Sequence, residues 1–127
     1  MQERNLFEYA VVRVVPRVER EEFMNVGVVI YCKKEKFLQF KFQLNESRLK
    51  AFVPDLDLEV VKENLNAFDR ICKGAKDGGP IAELDAPSRF RWLTATRSTV
   101  IQTSKVHPGL CLQGAETLER LFAEQVL

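Results

Sequence analysis

The stretch FMNVGVVIYCKKEKFLQFKFQL, Phe23–Leu44, decides the fold. In its last part, LQFKFQL, apolar and polar side chains alternate without error, which is typical of a strand with one buried and one solvated face. Its first part, FMNVGVVIY, is rich in β-branched and aromatic residues and predicts another strand. Because only the short segment CKKEK joins them, we expect the two strands to be antiparallel.

A further strand is predicted nearer the N-terminus. The segment LFEYAVVRVV, from Leu6 to about Val15, predicts a further strand that Pro16 ends. The polar connection VEREEF that follows is too short to hold a crossover helix. Three successive strands with short connections predict an antiparallel meander.

Helical patterns follow the meander. Asn45 can cap a short helix that ends near Phe52, and a longer helix is expected to start at Asp55. The longer helix has an apolar stripe at helical spacing, formed by Leu58, Val61, Leu65, Phe68 and Cys72. Glycines end it, and residues 74–89 predict a loop with one helical turn near residues 81–84.

The last third of the chain predicts two more strands and a closing helix. Residues 90–93 and 99–103 are expected to be extended, and Pro108-Gly109 is expected to turn the chain. The closing helix has an apolar stripe of Leu118, Leu121, Phe122 and Val126. The whole pattern predicts a single α+β domain over residues 1–127, with an antiparallel sheet of four to five strands and helices packed on one face.

The amino-acid composition argues against several classes of function for this protein. A net charge of +1 with 46% apolar residues is ordinary for a globular domain and argues against a broad surface for nucleic acid or membrane. The longest uncharged apolar stretch is too short to cross a membrane, and the first residues do not resemble a signal peptide. An odd number of cysteines is typical of a reduced, intracellular protein, so we expect a cytoplasmic protein with no membrane partner.

The residue types argue against most cofactor chemistry. Cys32, Cys72 and Cys111 share no metal-ligand spacing, and His107 is the only histidine, so we expect no metal site. The sequence has no glycine-rich loop of the kinds that hold nucleotide phosphates, and we expect no cofactor. His107 can act as a general base, with Cys111 as a nucleophile, but a histidine beside a Pro-Gly pair is also typical of a turn.

One polar candidate site lies within the meander. Arg13 interrupts an apolar strand, and alternation places Asn25 and Gly27 on one side of the next strand. In one interpretation Arg13 and Asn25 line a polar pocket, and Gly27 lets a ligand approach the backbone. In the other, Arg13 pairs with Glu21, Glu22 or a helix C-terminus, and Gly27 marks a β-bulge. The sequence leaves both interpretations open.

A second candidate site lies in residues 86–115, which contain no acidic residue. In this stretch Arg91 and Arg97 can fork onto a phosphate or carboxylate, and Trp92 offers a stacking face for a base. Three hydroxyl side chains can donate to the same anion: Ser98, Thr99 and Thr103. The alternative is that Trp92 anchors the core and the arginines are solvated.

Three blocks of the chain also carry a family likeness. YAVVRVVPRVEREEFMNVGVVIY, RLKAFVPDLDLEVV and FRWLTATRSTVIQTSKVHPGLC resemble, in this order, the uncharacterised bacterial family catalogued as domain of unknown function 3037. The most specific part is the block Arg20–Val28. The resemblance implies a small stand-alone cytoplasmic protein whose gene often neighbours a kinase related to toxin–antitoxin kinases. It implies no catalytic residues.

Two hypotheses about function follow. The first is a protein-binding or regulatory module with an intracellular protein partner, for which that kinase is a candidate and the sheet face with Gln39, Lys41 and Gln43 is a contact surface. The second is an anion-handling protein, either a nucleic-acid binder or a phosphoester or nucleotide enzyme, with a basic site around Arg91 and Arg97. Its candidate site residues are Arg13, Asn25, Arg91, Arg97 and His107. Because no convincing catalytic set is present in the sequence, an enzyme is the less favoured class.

Overall fold

The computed structural model describes residues 4–97 and 99–127. Within these residues five strands form one antiparallel sheet: β1 (Asn5–Val14), β2 (Met24–Cys32), β3 (Phe37–Phe42), β4 (Ile101–Thr103) and β5 (His107–Cys111). The α-helices of the same residues are α1 (Glu46–Phe52), α2 (Leu58–Lys73), α3 (Ala86–Leu93) and α4 (Gly114–Gln125). The predicted α+β class is therefore confirmed. Among the described helices, none combines the length and the apolar character that crossing a bilayer requires.

The predicted N-terminal meander is confirmed. β2 lies between β1 and β3, with Tyr9 opposite Ile30 and Val29 opposite Phe40. The other edge of β1 is shared by two strands: β5 pairs with its first half, and β4 pairs with its last residues. β1 thus has neighbours on both edges and lies inside the sheet.

A β-bulge interrupts the pairing of β1 and β2. Val12 lies opposite Gly27 and Arg13 opposite Asn25, so Val26 is the extra residue. A Cβ on Gly27 would lie 2.7 Å from a backbone oxygen of β3. The glycine makes room for the neighbouring strand rather than for a ligand, and the bulge interpretation of the sequence is confirmed.

Helices cover both faces of the sheet, which differs from the predicted one-sided packing. On the first face, called face A, α2 and α3 pack over the sheet, and Val12 of β1 and Phe90 of α3 belong to one apolar core. On the opposite face, called face B, α4 packs over β2, and Ile30 and Leu118 belong to a second apolar cluster. The one-sided prediction was wrong because consecutive residues Val28–Ile30 are fully buried, so β2 needs an apolar partner on each side.

α2 follows its predicted pattern. The carboxylate of Asp57 accepts hydrogen bonds from the N–H groups of Glu59 and Val60, which caps the first turn. Gly74 ends the helix with a left-handed φ of 66°. The loop predicted after it contains two short 3₁₀ turns, Lys76–Gly78 and Pro80–Glu83.

α3 includes the residues that were predicted as a strand, 90–93. The side chain of Asp85 accepts a hydrogen bond from the Ser88 N–H at 3.0 Å, and Pro87 lies in the first turn, where its missing N–H costs nothing. Phe90 and Leu93, three positions apart, are both fully buried on face A. The strand prediction was wrong because so short an apolar segment fits both periods.

β5 includes the Pro108-Gly109 pair that was predicted to turn the chain. A Cβ on Gly109 would lie 2.5 Å from Cζ of Phe7, so this glycine is required by the packing of a β1 ring against β5. Pro108 is tolerated because β5 lies at an edge of the sheet. The turn prediction was wrong, whereas the strand predicted over residues 99–103 is confirmed in shorter form by β4.

The cap of α3 can be tested through its pH dependence. Hydrogen bonds from Ser88 lower the pKa of Asp85 below its ordinary value. A carboxyl group with a lowered pKa stabilises the fold above its unfolded pKa, about 3.9, and this stabilisation is lost as the pH falls through the folded pKa. We expect Asp85→Ala to lower the free energy of unfolding at neutral pH, with the difference from wild type shrinking below about pH 4.

Urea unfolding across this pH range measures the effect. Glu83→Ala is the matched control, because it removes a neighbouring exposed carboxylate that caps no α-helix. A difference between Asp85→Ala and wild type that stays constant with pH would show that the charge of Asp85 does not support the helix.

Candidate functional site

The five site residues predicted from the sequence do not form one site. Arg13, Asn25 and His107 lie on face B of the sheet. Arg91 lies in α3, which packs on face A, and Arg97 follows the C-terminal end of that helix. Because the sheet separates the two groups, a common anion site of all five residues is absent from the described structure.

Arg13 and Asn25 are brought together as cross-strand neighbours. The guanidinium of Arg13 lies 3.9 Å from the ring centroid of Phe23, and burial lowers the pKa of Arg13. The side-chain amide of Asn25 donates to the carbonyl of Gln125 at 3.0 Å, at the C-terminal end of α4. In the described part of the chain no carboxylate makes an ion pair with Arg13. The contact of Asn25 with Gln125 favours a structural role for this side chain, which holds the end of α4 on the sheet.

Arg97 binds the C-terminal end of α3. Its guanidinium donates to the carbonyl of Trp92 and lies 3.9 Å from the centroid of the Trp92 ring. Trp92 is 39% exposed, so it does not act as a core anchor. Thr99 and Thr103 donate their hydroxyl hydrogens to backbone carbonyls, and Ser98 lies outside the described residues. These polar groups thus serve the local backbone.

His107 is placed away from any catalytic partner. It is exposed, and its ring packs 5.3 Å from the ring of Tyr9, its cross-strand neighbour. Cys111 lies at the other end of the same strand, about 13 Å away at the usual rise per residue. The two side chains therefore do not form a nucleophile–base pair. Instead, the thiol of Cys111 lies beside Cys32 and Glu35.

The sheet face predicted as a contact surface is partly covered. Lys41 forms an ion pair with Glu119 of α4, and its ammonium group lies 4.9 Å from the ring centroid of Phe122. Gln39 and Gln43 on either side of it are exposed. Because α4 packs here, Lys41 is not available as the centre of an open interface.

The largest cavity among the described pockets is a groove of about 650 Å³ on face A, called the basic groove. It lies where the start of β1 and the end of β2 meet α3. Its basic lining residues are Arg4, Lys33, Lys34 and Arg91, its one carboxylate is Glu8, and its other lining residues are Asn5, Leu6, Phe7, Tyr31 and Pro87. Of these, only Arg91 was among the residues predicted from the sequence.

An ion pair forms one wall of the basic groove. Arg91 donates two hydrogen bonds to Glu8, each 2.8 Å long, and this contact raises the pKa of Arg91. Glu8 lies opposite Tyr31 in the β1–β2 pairing, and the Tyr31 ring packs 5.5 Å from the ring of Phe90. The Arg91 guanidinium is therefore held in place by an internal partner and does not require an external anion.

An apolar surface adjoins the groove on the same face. Leu6 of β1 and Leu110 of β5 are cross-strand partners and are 62% and 59% exposed. The helices on face A cover β1 only from Ala10 onward, which leaves these two leucines uncovered. We call Leu6 and Leu110 the apolar shelf. The two exposed leucines form a small apolar patch beside the groove.

The basic groove offers charged side chains and one tyrosine hydroxyl. Burial raises the pKa of Tyr31, with Asp85 and Glu8 adding to the effect, so its hydroxyl stays neutral. The described lining contains no cysteine, histidine or serine. What the groove offers is cationic side chains beside exposed apolar area. The sequence contained one sign of it, the doublet Lys33-Lys34 at the end of a predicted strand.

The structural role of Arg97 gives a direct test. We expect Arg97→Ala to lower the free energy of unfolding by about 1 kcal/mol, because the α3 carbonyl loses its donor and the Trp92 ring loses its cation. Arg97→Lys should recover part of the loss, and Lys105→Ala, at an exposed position nearby, should have no effect. Urea unfolding measures all three. Unchanged stability in Arg97→Ala, together with loss of phosphate binding, would restore the anion-site hypothesis.

Comparisons with known proteins place the chain in a family without a described activity. No curated protein and no solved structure matches it. A family model described as "Protein of unknown function (DUF3037)" matches residues 9–126. The match contains the groove residues from β2 onward, and the groove residues 4–8 lie before it. Because this match covers nearly the whole sequence, the chain belongs to the DUF3037 family.

Proposed function

We propose that this protein is a docking module that binds an acidic segment of a protein partner, with the basic groove contacting the acidic groups and the apolar shelf contacting an apolar side chain. The observation that carries the proposal is the juxtaposition of exposed Leu6 and Leu110 with a groove whose charged lining residues are four cations and one carboxylate. Arg4 and Lys33 supply charge that no carboxylate of the described residues balances, whereas Arg91 is balanced by Glu8.

Charge complementarity favours an acidic protein segment as the occupant. An acidic segment gains from the groove cations, and its apolar side chains gain from covering two leucines that are otherwise in water. β5, which carries Leu110, is an edge strand, and its backbone lies beside the shelf. An extended segment can therefore run along β5 and reach both surfaces at once.

Nucleic acid fits these surfaces less well. A phosphate backbone requires a broad positive field, and this chain has a net charge of +1. Exposed aliphatic side chains such as Leu6 and Leu110 offer no stacking face for bases, and Trp92 is occupied by Arg97. The anion-handling alternative also loses support because Arg91 and Arg97 already bind groups of the protein itself.

The partner we propose is intracellular. Together with the family resemblance, the composition supports a bacterial cytoplasmic setting, and a kinase related to toxin–antitoxin kinases is the candidate that the resemblance suggests. In this kinase or in another protein, the docked segment that we propose is acidic and has one apolar side chain as its anchor. A regulatory role would follow if docking blocks or positions part of the partner.

The proposal can be tested by site-specific photo-crosslinking in the native host. We expect a photo-reactive residue at Leu110 to capture one protein through an acidic segment, which mass spectrometry of the crosslinked peptide identifies. Lys33→Glu should reduce the affinity for a synthetic peptide of that segment by about tenfold, equivalent to about 1.4 kcal/mol of lost charge attraction.

The matched control is Lys105→Glu, which reverses an exposed charge in the acid-free stretch outside the groove and should leave the affinity unchanged. Equal losses in both variants would show that binding responds to overall charge and not to the groove. Capture of nucleic acid, of a segment without acidic residues, or of no protein would overturn the proposal.

A further inference from the structure

Three potential metal ligands from separate parts of the chain meet on face B. Cys32 ends β2, Glu35 lies in the turn before β3, and Cys111 ends β5. Their two sulfur atoms and a carboxylate oxygen all lie within 4.8 Å of one another, and Sγ of Cys111 is 3.9 Å from Oε1 of Glu35. We propose that these side chains form a binding site for a thiophilic divalent cation of the Zn²⁺ type.

The ligand set suits such an ion. Zn²⁺ binds thiolates at about 2.3 Å and carboxylates at about 2.0–2.2 Å, so tetrahedral ligand atoms lie roughly 3.5–3.8 Å apart. The three atoms lie within 4.8 Å of one another, so each pair needs to close by at most about 1.3 Å. Cys111 is on an edge strand and Glu35 is in an exposed turn, so both have room to shift. The exposed side of Glu35 gives an entry path and leaves the fourth position for water.

The surroundings orient the carboxylate and favour the charge of the filled site. The N–H of Gly114 donates to Oε1 of Glu35 at 2.8 Å, which orients the carboxylate beside the two thiols. Two thiolates and one carboxylate around a divalent cation give a net charge of about −1. This charge faces the N-terminus of α4, where the aligned peptide dipoles and free N–H groups favour an anion.

The metal has to displace protons from these thiols. A cation binds these sulfurs as thiolates, so binding releases protons and the affinity should rise with pH. Cys72 provides the contrast. It is buried in the core of face A, burial raises its pKa to about 12, and it is not part of the cluster.

Spacing along the sequence predicted no metal site, because Cys32 and Cys111 are far apart and no Cys-x-x-Cys pair is present. The fold brings them together by pairing β1 with β2 on one edge and with β5 on the other. This inference does not depend on the proposed docking function.

The test uses the full chain, reduced and freed of metal, titrated with Co²⁺ alone and then with Zn²⁺. We expect wild type to bind one equivalent of Co²⁺ with a thiolate-to-metal absorption band that Zn²⁺ abolishes. Cys32→Ser and Cys111→Ser should each lose at least about a hundredfold in affinity, and the affinity of wild type should rise with pH. Cys72→Ser is the matched control and should bind like wild type.

A second variant is needed because substitution of a buried cysteine can prevent folding. Glu35→Gln alters an exposed side chain, so it should fold, keep the thiolate band and lose about tenfold or more in Co²⁺ affinity. No thiolate band in wild type, a band that survives Cys32→Ser, or loss of the band in Cys72→Ser would overturn the proposal. A Cys32–Cys111 disulfide that forms without reductant in a protein that takes up no Co²⁺ would also overturn it.

Discussion

The pairing of β1 on both edges is the constraint on which the rest of the structure depends. One edge of β1 pairs with β2, and the other edge pairs with β4 and β5. Ser104 lies in the segment between β4 and β5. The Ser104 hydroxyl accepts a hydrogen bond from the Val11 N–H at 2.9 Å, and the Ser104 N–H donates to the Val11 carbonyl at 2.8 Å. A buried N–H left unpaired here would cost about 1–3 kcal/mol. Because Ser104 supplies these bonds, two short strands act as one long edge.

A central strand with paired edges divides the molecule into two chemically different sides. On face A, Leu6 and Glu8 at the start of β1 line the basic groove, whereas Tyr9 on face B packs against the apolar cluster that α4 covers. The turn between β2 and β3 belongs to both sides, since Lys33 lines the groove and Glu35 lies beside the two thiols. Any interaction that fixes this turn on face B therefore also fixes part of the groove wall on face A.

Most of the fold could be predicted because its elements have regular sequence patterns. Features that depend on contacts between distant segments could not be predicted. The first three strands and α2 have long periodic patterns and were predicted from them. For α3 the signal was present in the cap residue Asp85, but the short apolar segment after it also fitted a strand. Gly109 has the composition of a turn, and its packing partner Phe7 is at the other end of the chain. The site was missed for the same reason, because the contact of Glu8 with Arg91 depends on where α3 packs.

The stacking of Arg97 on Trp92 also determines what fluorescence can report about this protein. Trp92 is the single tryptophan of the sequence, and it lies half-exposed at the end of a short helix rather than in either apolar core. Its emission therefore follows the local state of the α3 terminus, while circular dichroism follows the sheet and all of the helices. Helix ends open at lower free energy than core strands, so the two signals can diverge before global unfolding. Tyr31 of β2 is buried against Phe90 of α3, so a signal from this side chain would report the opening of the sheet itself.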